Sequence, residues 1–561
     1  MTTDVAWYKN AIIYALDVET FMDSDGDGVG DFQGLIESLD YLSGLGVTCL
    51  WLQPFYPTPN HDDGYDVADY YGIDSRLGTL GDFVVFMREA RERGMHVIVE
   101  LVVNHTSIEH PWFQEARRDP RGKYRDFYIW HEEPPSPERR GGVVFPGKQV
   151  SNWEYDAEAG AHYWHWFYAH QPDLNTGNPA VQEEIKKIMG FWLELGVAGF
   201  RIDAAAFLFK RKGLAGTYPE EPELFLGDLR RFLTARSPEA ILLAEADVSL
   251  DELSFFLGEG ERMNLIFNFI LNNYFFLGLA RESAEPIREA LLSLPTCPEP
   301  SQYANFVRNH DELNLDRLPD DASDLVFERF APDPAMRVYE RGIRRRLPPM
   351  LGGDRRHIEM VYSLLFSLPG TPVLRYGDEI GMGENLDLPE RLSVRTPMQW
   401  TDGVNGGFST ADPSRLVRPM VEGELRPERV NVADQRRDPR SLLNYFLRLI
   451  RTRKECPELG SGTVELLDTN DSAVLAHRCD RSDGVAIAIH NLSGEERKVS
   501  VALSDRDLGN LIDLIGDRQY EPVRGRHAEM HLEPYAYRWL RTDPQRSQTV
   551  GGLPATEPSA G

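Results

Sequence analysis

Eight short runs rich in Val, Ile and Leu, at 11–16, 47–52, 96–103, 197–203, 241–245, 265–269, 305–308 and 372–376, alternate with longer segments of helical spacing such as 80–94 and 179–196. A run that is apolar nearly throughout, rather than at every second position, marks a strand buried on both faces, as in a parallel sheet covered by helices. Eight such units specify an α/β chain whose sheet closes into a (β/α)8 barrel. An open doubly wound sheet is the competing arrangement, and no phosphate-binding glycine fingerprint follows the first run to support it. In the barrel, chemistry collects where strands end at their C-terminal side.

Three of the runs end in or lead to an acid there: Gly199-Phe200-Arg201-Ile202-Asp203, Leu242-Leu243-Ala244-Glu245 and Phe306-Val307-Arg308-Asn309-His310-Asp311. One run ending in an acid is commonplace; three in series form a carboxylate constellation. Retaining cleavage of a glycosidic bond uses two carboxyl groups roughly 5 Å apart, one attacking the anomeric carbon and one protonating the leaving oxygen. Residues two apart on a strand share a side, so Arg201 and Asp203 face the same cleft and the guanidinium favours an ionised nucleophile. Glu245 has the opposite need, a raised pKa, which burial and a neighbouring carboxylate supply.

The remaining length is more than one core absorbs. Catalytic residues fall within 1–104 and 174–438; residues 105–173 are too long for an ordinary loop and read as an inserted domain after the third strand. Its aromatic cluster Tyr163, Trp164, Trp166, Phe167 and Tyr168 reads mostly as that domain's core. The arginine-rich stretch within 321–352 reads as a solvated face. Residues 439–542 read as a C-terminal antiparallel β-domain, and 543–561, which lack periodicity, as a disordered tail. With 60 basic against 89 acidic residues the charge is −29, which disfavours nucleic acid and anionic membrane and suits a small neutral ligand. No apolar run reaches the ~20 residues of a membrane span. The N-terminus has no secretory pattern and Cys49, Cys297, Cys456 and Cys479 have no metal or redox spacing, so a cytoplasmic protein with reduced thiols is expected. The oligomeric state stays open, a homo-oligomer included.

Val102-Val103-Asn104-His105, Gly199 to Asp203, Ala244-Glu245 and Arg308 to Asp311 resemble the four motif regions of the α-amylase superfamily of glycoside hydrolases. Gln171-Pro172-Asp173-Leu174-Asn175 is similar to the signature of its α-glucosidase and trehalose synthase branch. Arg395-Thr396-Pro397-Met398-Gln399-Trp400 and Tyr376-Gly377-Asp378-Glu379-Ile380-Gly381 look like the trehalose synthase family. The resemblance implies Asp203 as nucleophile, Glu245 as general acid/base and Asp311 as the acid that holds the 2-OH. It implies that Asp62, Tyr65 and Arg391 enclose the terminal glucose, with Arg395 as the substitute for Arg391, while His105 and His310 reach sugar hydroxyls. The implied reaction is isomerisation of maltose and trehalose; hydrolysis or transglucosylation on short α-glucosides, and a catalytically silent relative, are the alternatives.

Acids at alternating positions in Asp23-Ser24-Asp25-Gly26-Asp27-Gly28-Val29-Gly30-Asp31 suit one structural calcium, without the Glu of an EF-hand. By the same resemblance its ligands are Asp23, Asp25, Asp27, the Val29 carbonyl and Asp31; no organic cofactor is implied. Four residues depart from the family pattern: Glu19 stands for Arg, Glu100 for Asp, Arg375 for an aromatic, and Lys210 for an acid that helps hold a second calcium with Asn104 and Asp173. An ammonium cannot ligate a cation, so that second calcium is expected to be missing and Lys210 to neutralise Asp173.

Overall fold

The eight runs become β1 Ile13–Leu16, β2 Cys49–Leu52, β3 His96–Leu101, β4 Gly199–Ile202, β5 Ile241–Ala244, β6 Leu265–Phe267, β7 Gln302–Phe306 and β8 Thr371–Arg375 in the computed structural model. It describes residues 6–133, 142–214, 216–482, 484–503, 511–521, 523 and 527–542; the tail expected at 543–561 lies outside them. The strands pair in parallel in chain order, and β8 returns to β1 with Ile13 beside Val373, closing the barrel. Alternate residues fill the interior, among them Ile13, Ala15, Trp51, Ile98, Leu243 and Phe267. The intervening ones, such as Tyr14, Leu50, Val97, Val99 and Leu242, join the larger core beneath the helices. Both faces are therefore apolar, which is why the runs show no strand alternation.

The helix expected at 80–94 spans Leu80–Glu92 and starts with a capping box from Thr79 and Asp82. That at 179–196 spans Pro179–Glu194, with Pro at its first turn and Asn178 as cap. Both features satisfy or dispense with orphan N–H groups at a helix start. Residues 442–454, read from sequence with the β-domain, instead form the helix Leu442–Lys454, whose Tyr445, Phe446 and Leu449 are buried in the main core. The helix Arg355–Ser367 lies against it, with Tyr362 and Phe446 rings at 4.6 Å. The antiparallel sheet starts after it, in the order Thr463–Leu467, Val474–Arg481, Gly484–Asn491, Tyr537–Thr542 and Leu511–Gly516, with Arg497–Ala502 and His527–Leu532 as a separate pair.

Within 105–173, strands Trp130–His131, Ala161–Trp164 and Trp153–Asp156 make a small antiparallel sheet. A bridge between His105 and Asp173 ties its two ends together at the barrel rim. The 321–352 stretch is no solvated face. It holds the helix Asp320–Phe330, and Arg346 is buried with its guanidinium on the carbonyls of Val394 and Tyr376. Arg344 likewise donates to the carbonyls of Leu386 and Leu388, fastening two long barrel loops. All four cysteines are free, and among the described residues no helix is long and apolar enough to cross a membrane.

Gly199 opens β4 at φ 149°, and a Cβ there would stand 2.2 Å from the carbonyl oxygen of Ile241. Gly199→Ala must push β4 off β5, beneath Arg201 and Asp203. We expect a loss of roughly 3 kcal/mol, combining overpacking with a strained backbone, read as a lowered urea midpoint together with a fall in activity.

Candidate active site

Strand ends place the acids. Asp203 and Glu245 directly follow β4 and β5, while Asp311 stands further out in the loop after β7. Beneath them lies Arg201, fully buried, whose Nη1 is 2.6 Å from Asp203 Oδ1 and 2.7 Å from Glu100 Oε2, and whose Nη2 is 2.9 Å from Glu245 Oε2. One guanidinium thus faces three carboxyl groups. Burial pushes Glu245 up to about 7, against the pull of Arg201 and with help from the charges of Asp203 and Asp311. Burial likewise drives Glu100 up to about 8 against Arg201. Asp203 is also raised by burial, opposed by the charge and hydrogen bond of Arg201. The sequence expectation that Arg201 alone would settle the ionisation of Asp203 leaves out this burial. The shortest of the three contacts nevertheless goes to Asp203, so the cation favours the nucleophile's charge most directly.

Asp311 has a different setting. Burial would raise it, but His310, Arg391 and Arg395 outweigh that and hold it far below the usual carboxylate range. Its Oδ1 accepts from Arg391 at 2.9 Å and Arg395 at 2.7 Å. Arg391 also reaches Asp62 at 2.7 Å, and Gln171 donates to the other Asp62 oxygen at 2.9 Å. The residues expected to enclose one end of the cleft are thus tied to one another, and both Arg391 and its substitute Arg395 take part. Tyr65 places its hydroxyl 2.7 Å from His310 Nε2 and 3.1 Å from Glu100. His310 is engaged by Tyr65 and Asp311, beside the acids of the cavity. His105 lines the cavity, with Nε2 3.1 Å from the Tyr65 carbonyl.

The cavity measures about 290 Å³ and is lined by Asp203, Glu245 and Asp311 together with Asp62, Tyr65 and Arg391. That lies at the small end of the ~300–1,000 Å³ usual for ligand pockets and suits a short ligand. Its roof comes from the inserted domain. Phe145 meets Tyr339 at 4.5 Å and Tyr168 at 4.6 Å, and Glu390 accepts from the hydroxyls of Tyr168 and Tyr339 and pairs with Lys148 at 2.8 Å. Of the aromatic cluster, Tyr163 and Trp164 are core as expected, whereas Phe167 lines the cavity.

Two departures noted in sequence are rebalanced by charges that sequence reading missed. Glu19 accepts from Arg418 and Arg76 at 2.7 and 2.6 Å, and Arg418 also contacts Asp63, which holds Arg395. Asp173 is neutralised by Lys212, not Lys210: the buried Lys212 Nζ lies 3.1 Å from Asp173 Oδ2, 2.8 Å from Asn104 Oδ1 and 2.9 Å from the Leu174 carbonyl. The two lysines flank Arg211, just beyond the 3-10 turn Ala205–Phe209 that follows β4. The other departure, Arg375, donates to the Asn309 carbonyl at 2.8 Å.

In the acidic loop, Asp23, Asp25 and Asp27 bring carboxylate oxygens within 4.8 Å of one another, a donor set that fits a hard cation. Asp31 accepts from Ser24 and caps the helix Phe32–Glu37 through the Gly34 N–H. Val29 directs its own N–H to Asp27.

Removing the Lys212 cation strands a buried carboxylate. Lys212→Ala should cost about 3–5 kcal/mol, and the vacated oxygens of Asn104, Asp173 and Leu174 form a hard-cation set. Calorimetric titration should therefore find one more calcium equivalent on Lys212→Ala than on the unsubstituted protein, with calcium restoring its melting temperature.

A family model described as alpha amylase, catalytic domain, matches residues 14–315 and 344–462, and one described as sucrose hydrolase-like, C-terminal domain, matches 484–541. The chain is 40% identical over 553 residues to a trehalose synthase of Pimelobacter sp. (strain R48), covering 96% of each. It is 42% identical over 539 residues to a trehalose synthase of Thermus thermophilus, covering 95% of this chain and 55%, about half, of that protein. Among solved structures, the trehalulose synthase MutB from Pseudomonas mesoacidophila MX-45 superposes with a TM-score of 0.77 at 26% identity, covering 96% of this chain and 99% of that one.

Proposed function

The chain belongs to the α-amylase family, and from that premise we propose that it is a retaining enzyme that isomerises maltose and trehalose through a covalent glucosyl-enzyme. The observation that carries the proposal is the pairing of Asp203 and Glu245 on the two terminal nitrogens of one buried guanidinium, inside a cavity bounded by the Asp62–Arg391 pair. Asp203 attacks the anomeric carbon while Glu245 gives its proton to the glycosidic oxygen; the C–O bond to the departing glucose breaks as the bond to Asp203 forms. Glu245, now ionised, takes a proton from a hydroxyl of the same glucose after it has turned. That oxygen displaces Asp203, giving an α,α-1,1 link in place of the α-1,4 link with the configuration retained. Asp311, fixed as an anion by Arg391 and Arg395, accepts from the donor sugar and stabilises positive charge at the anomeric carbon.

The small cavity supports a short neutral α-glucoside over a polymer, and the similarity to trehalose synthases over nearly the whole chain supports isomerisation over simple hydrolysis. One structural calcium on Asp23, Asp25, Asp27, the Val29 carbonyl and Asp31 belongs to this reading, with the first three bringing their carboxylates together. It would brace the loop after β1, where Asp23 also receives Ser409, and takes no part in the chemistry.

Maltose incubated with the protein should give the symmetric α,α-1,1 anomeric proton signal by NMR, and Asp203→Asn should abolish it. Free glucose alone would make the protein a hydrolase. The first step needs protonated Glu245, whose raised pKa keeps that form up to about 7. The rate of glucosyl-enzyme formation should therefore decline tenfold per unit above pH 7 and fall again at acid pH as the raised Asp203 takes a proton. With an aryl glucoside whose leaving group needs no proton, Glu245→Gln should retain far more activity than on maltose, where the loss is ~10²–10⁴-fold.

A further inference from the structure

Lys210, relieved of Asp173 by Lys212, lines the catalytic cavity alongside Asp203 and Glu245. Phe207, Asp247, Asn314, Arg317 and Arg341 line the same cavity, and Asp247 and Arg317 act on the charge of Lys210. The charges of Asp247, Arg317 and Arg341 are already paired. Asp247 accepts from Arg317 at 2.5 Å and from Asn314 at 2.8 Å, and Arg341 pairs with Asp316 at 3.2 Å and Glu312 at 3.6 Å. The Lys210 ammonium has neither a carboxylate nor a hydrogen-bond acceptor within bonding distance among the described residues. It lies 4.4 Å from the centroid of the Phe207 ring, which also lines the cavity. Burial lowers its pKa, with Glu252 and Asp247 pulling the other way.

A cation with N–H donors unengaged by any acceptor among the described residues, seated over an aromatic ring, makes a polyol subsite: the ammonium donates to sugar hydroxyls and the ring adds apolar surface next to it. Isomerisation needs such a subsite, because the released glucose must be retained while it turns and water must be kept from the glucosyl-enzyme. We propose that Lys210 is the acceptor-side specificity residue that holds the departing glucose and so sets the partition between isomerisation and hydrolysis. The inference rests on the glucosyl-enzyme reading above.

The test follows maltose labelled in its reducing glucose, with added unlabelled glucose as a competing acceptor, and reads trehalose and free glucose separately from total maltose consumption. Lys210→Met should raise the ratio of glucose to trehalose at least fivefold and increase exchange of label with added glucose, while the rate of aryl-glucoside cleavage changes less than twofold. Lys210→Arg, which keeps the charge and the donors, should restore most of the partition. An unchanged ratio in a folded Lys210→Met that still makes trehalose would overturn the role of Lys210 and leave the reaction standing. Absence of trehalose from the unsubstituted protein would overturn the reaction itself, and aryl-glucoside cleavage lost in step with partition would mark Lys210 as structural.

Discussion

The buried guanidinium of Arg201 is the constraint on which the site depends. It shares its two terminal nitrogens among Glu100, Asp203 and Glu245, and three carboxyl groups around one cation cannot all ionise in a buried pocket. The competition makes the division of labour. Glu100 is pushed up to about 8 and Glu245 to about 7 by burial first, so at neutral pH Glu100 mostly keeps its proton and Glu245 keeps it about half the time, while the cation's nearest contact is left to Asp203. Glu100 also receives the Trp51 indole and the Tyr65 hydroxyl. The extra methylene relative to the family's Asp is therefore absorbed inside a saturated network under the nucleophile.

The same economy of charge governs the second layer. Cations are supplied by side chains at places where the family pattern puts either another side chain or a metal. Lys212 sits among two carbonyls, an amide oxygen and a carboxylate. These oxygens pin the strand-end segment at Asn104 to Asp173 and Leu174 at the far root of the inserted domain. Arg418 performs a comparable service beside Glu19, linking Asp63 and through it Arg395 to the wall that carries Asp311. A lysine cannot be chelated away, so the root of the inserted domain is held by a covalent part of the chain.

Much of this was legible from sequence, for reasons that also mark where reading stopped. A strand buried on both faces leaves an unmistakable apolar run, and all eight barrel strands overlap the runs that announced them. The acids at 203 and 245 follow directly because nothing separates them from their strands. The helix Leu442–Lys454 was lost to the β-domain because the chain alternates there between barrel and appended sheet without a composition change. Lys212 was missed because the resemblance set Lys210, not Lys212, at the position of the family's acid, and past the 3-10 turn at Ala205–Phe209 no strand or helix phase shows where either lysine points. The arginines of 344–346 looked like a solvated face because most of their partners, backbone carbonyls and the Glu384 carboxylate, come from distant parts of the chain that no local pattern reveals.

Over the acids lies a roof that ties the two sides of the cleft together. Glu390 collects Lys148 and Tyr168 from the inserted domain and Tyr339 from the barrel loop, so one carboxylate joins both sides of the cleft. Tyr339, Glu340 and Glu390 all adopt positive φ, at 54°, 60° and 47°, conformations that cost non-glycine residues about 1–3 kcal/mol each. Such backbone persists only where surrounding contacts over-determine it, and here these contacts are the ones that close the cleft. Opening the roof would release that strain while giving up the Phe145, Tyr168 and Tyr339 stack together with the ion pair. The two terms oppose each other, and a balance of that kind suits a site that must admit a disaccharide and then exclude water while one glucose turns over beneath it.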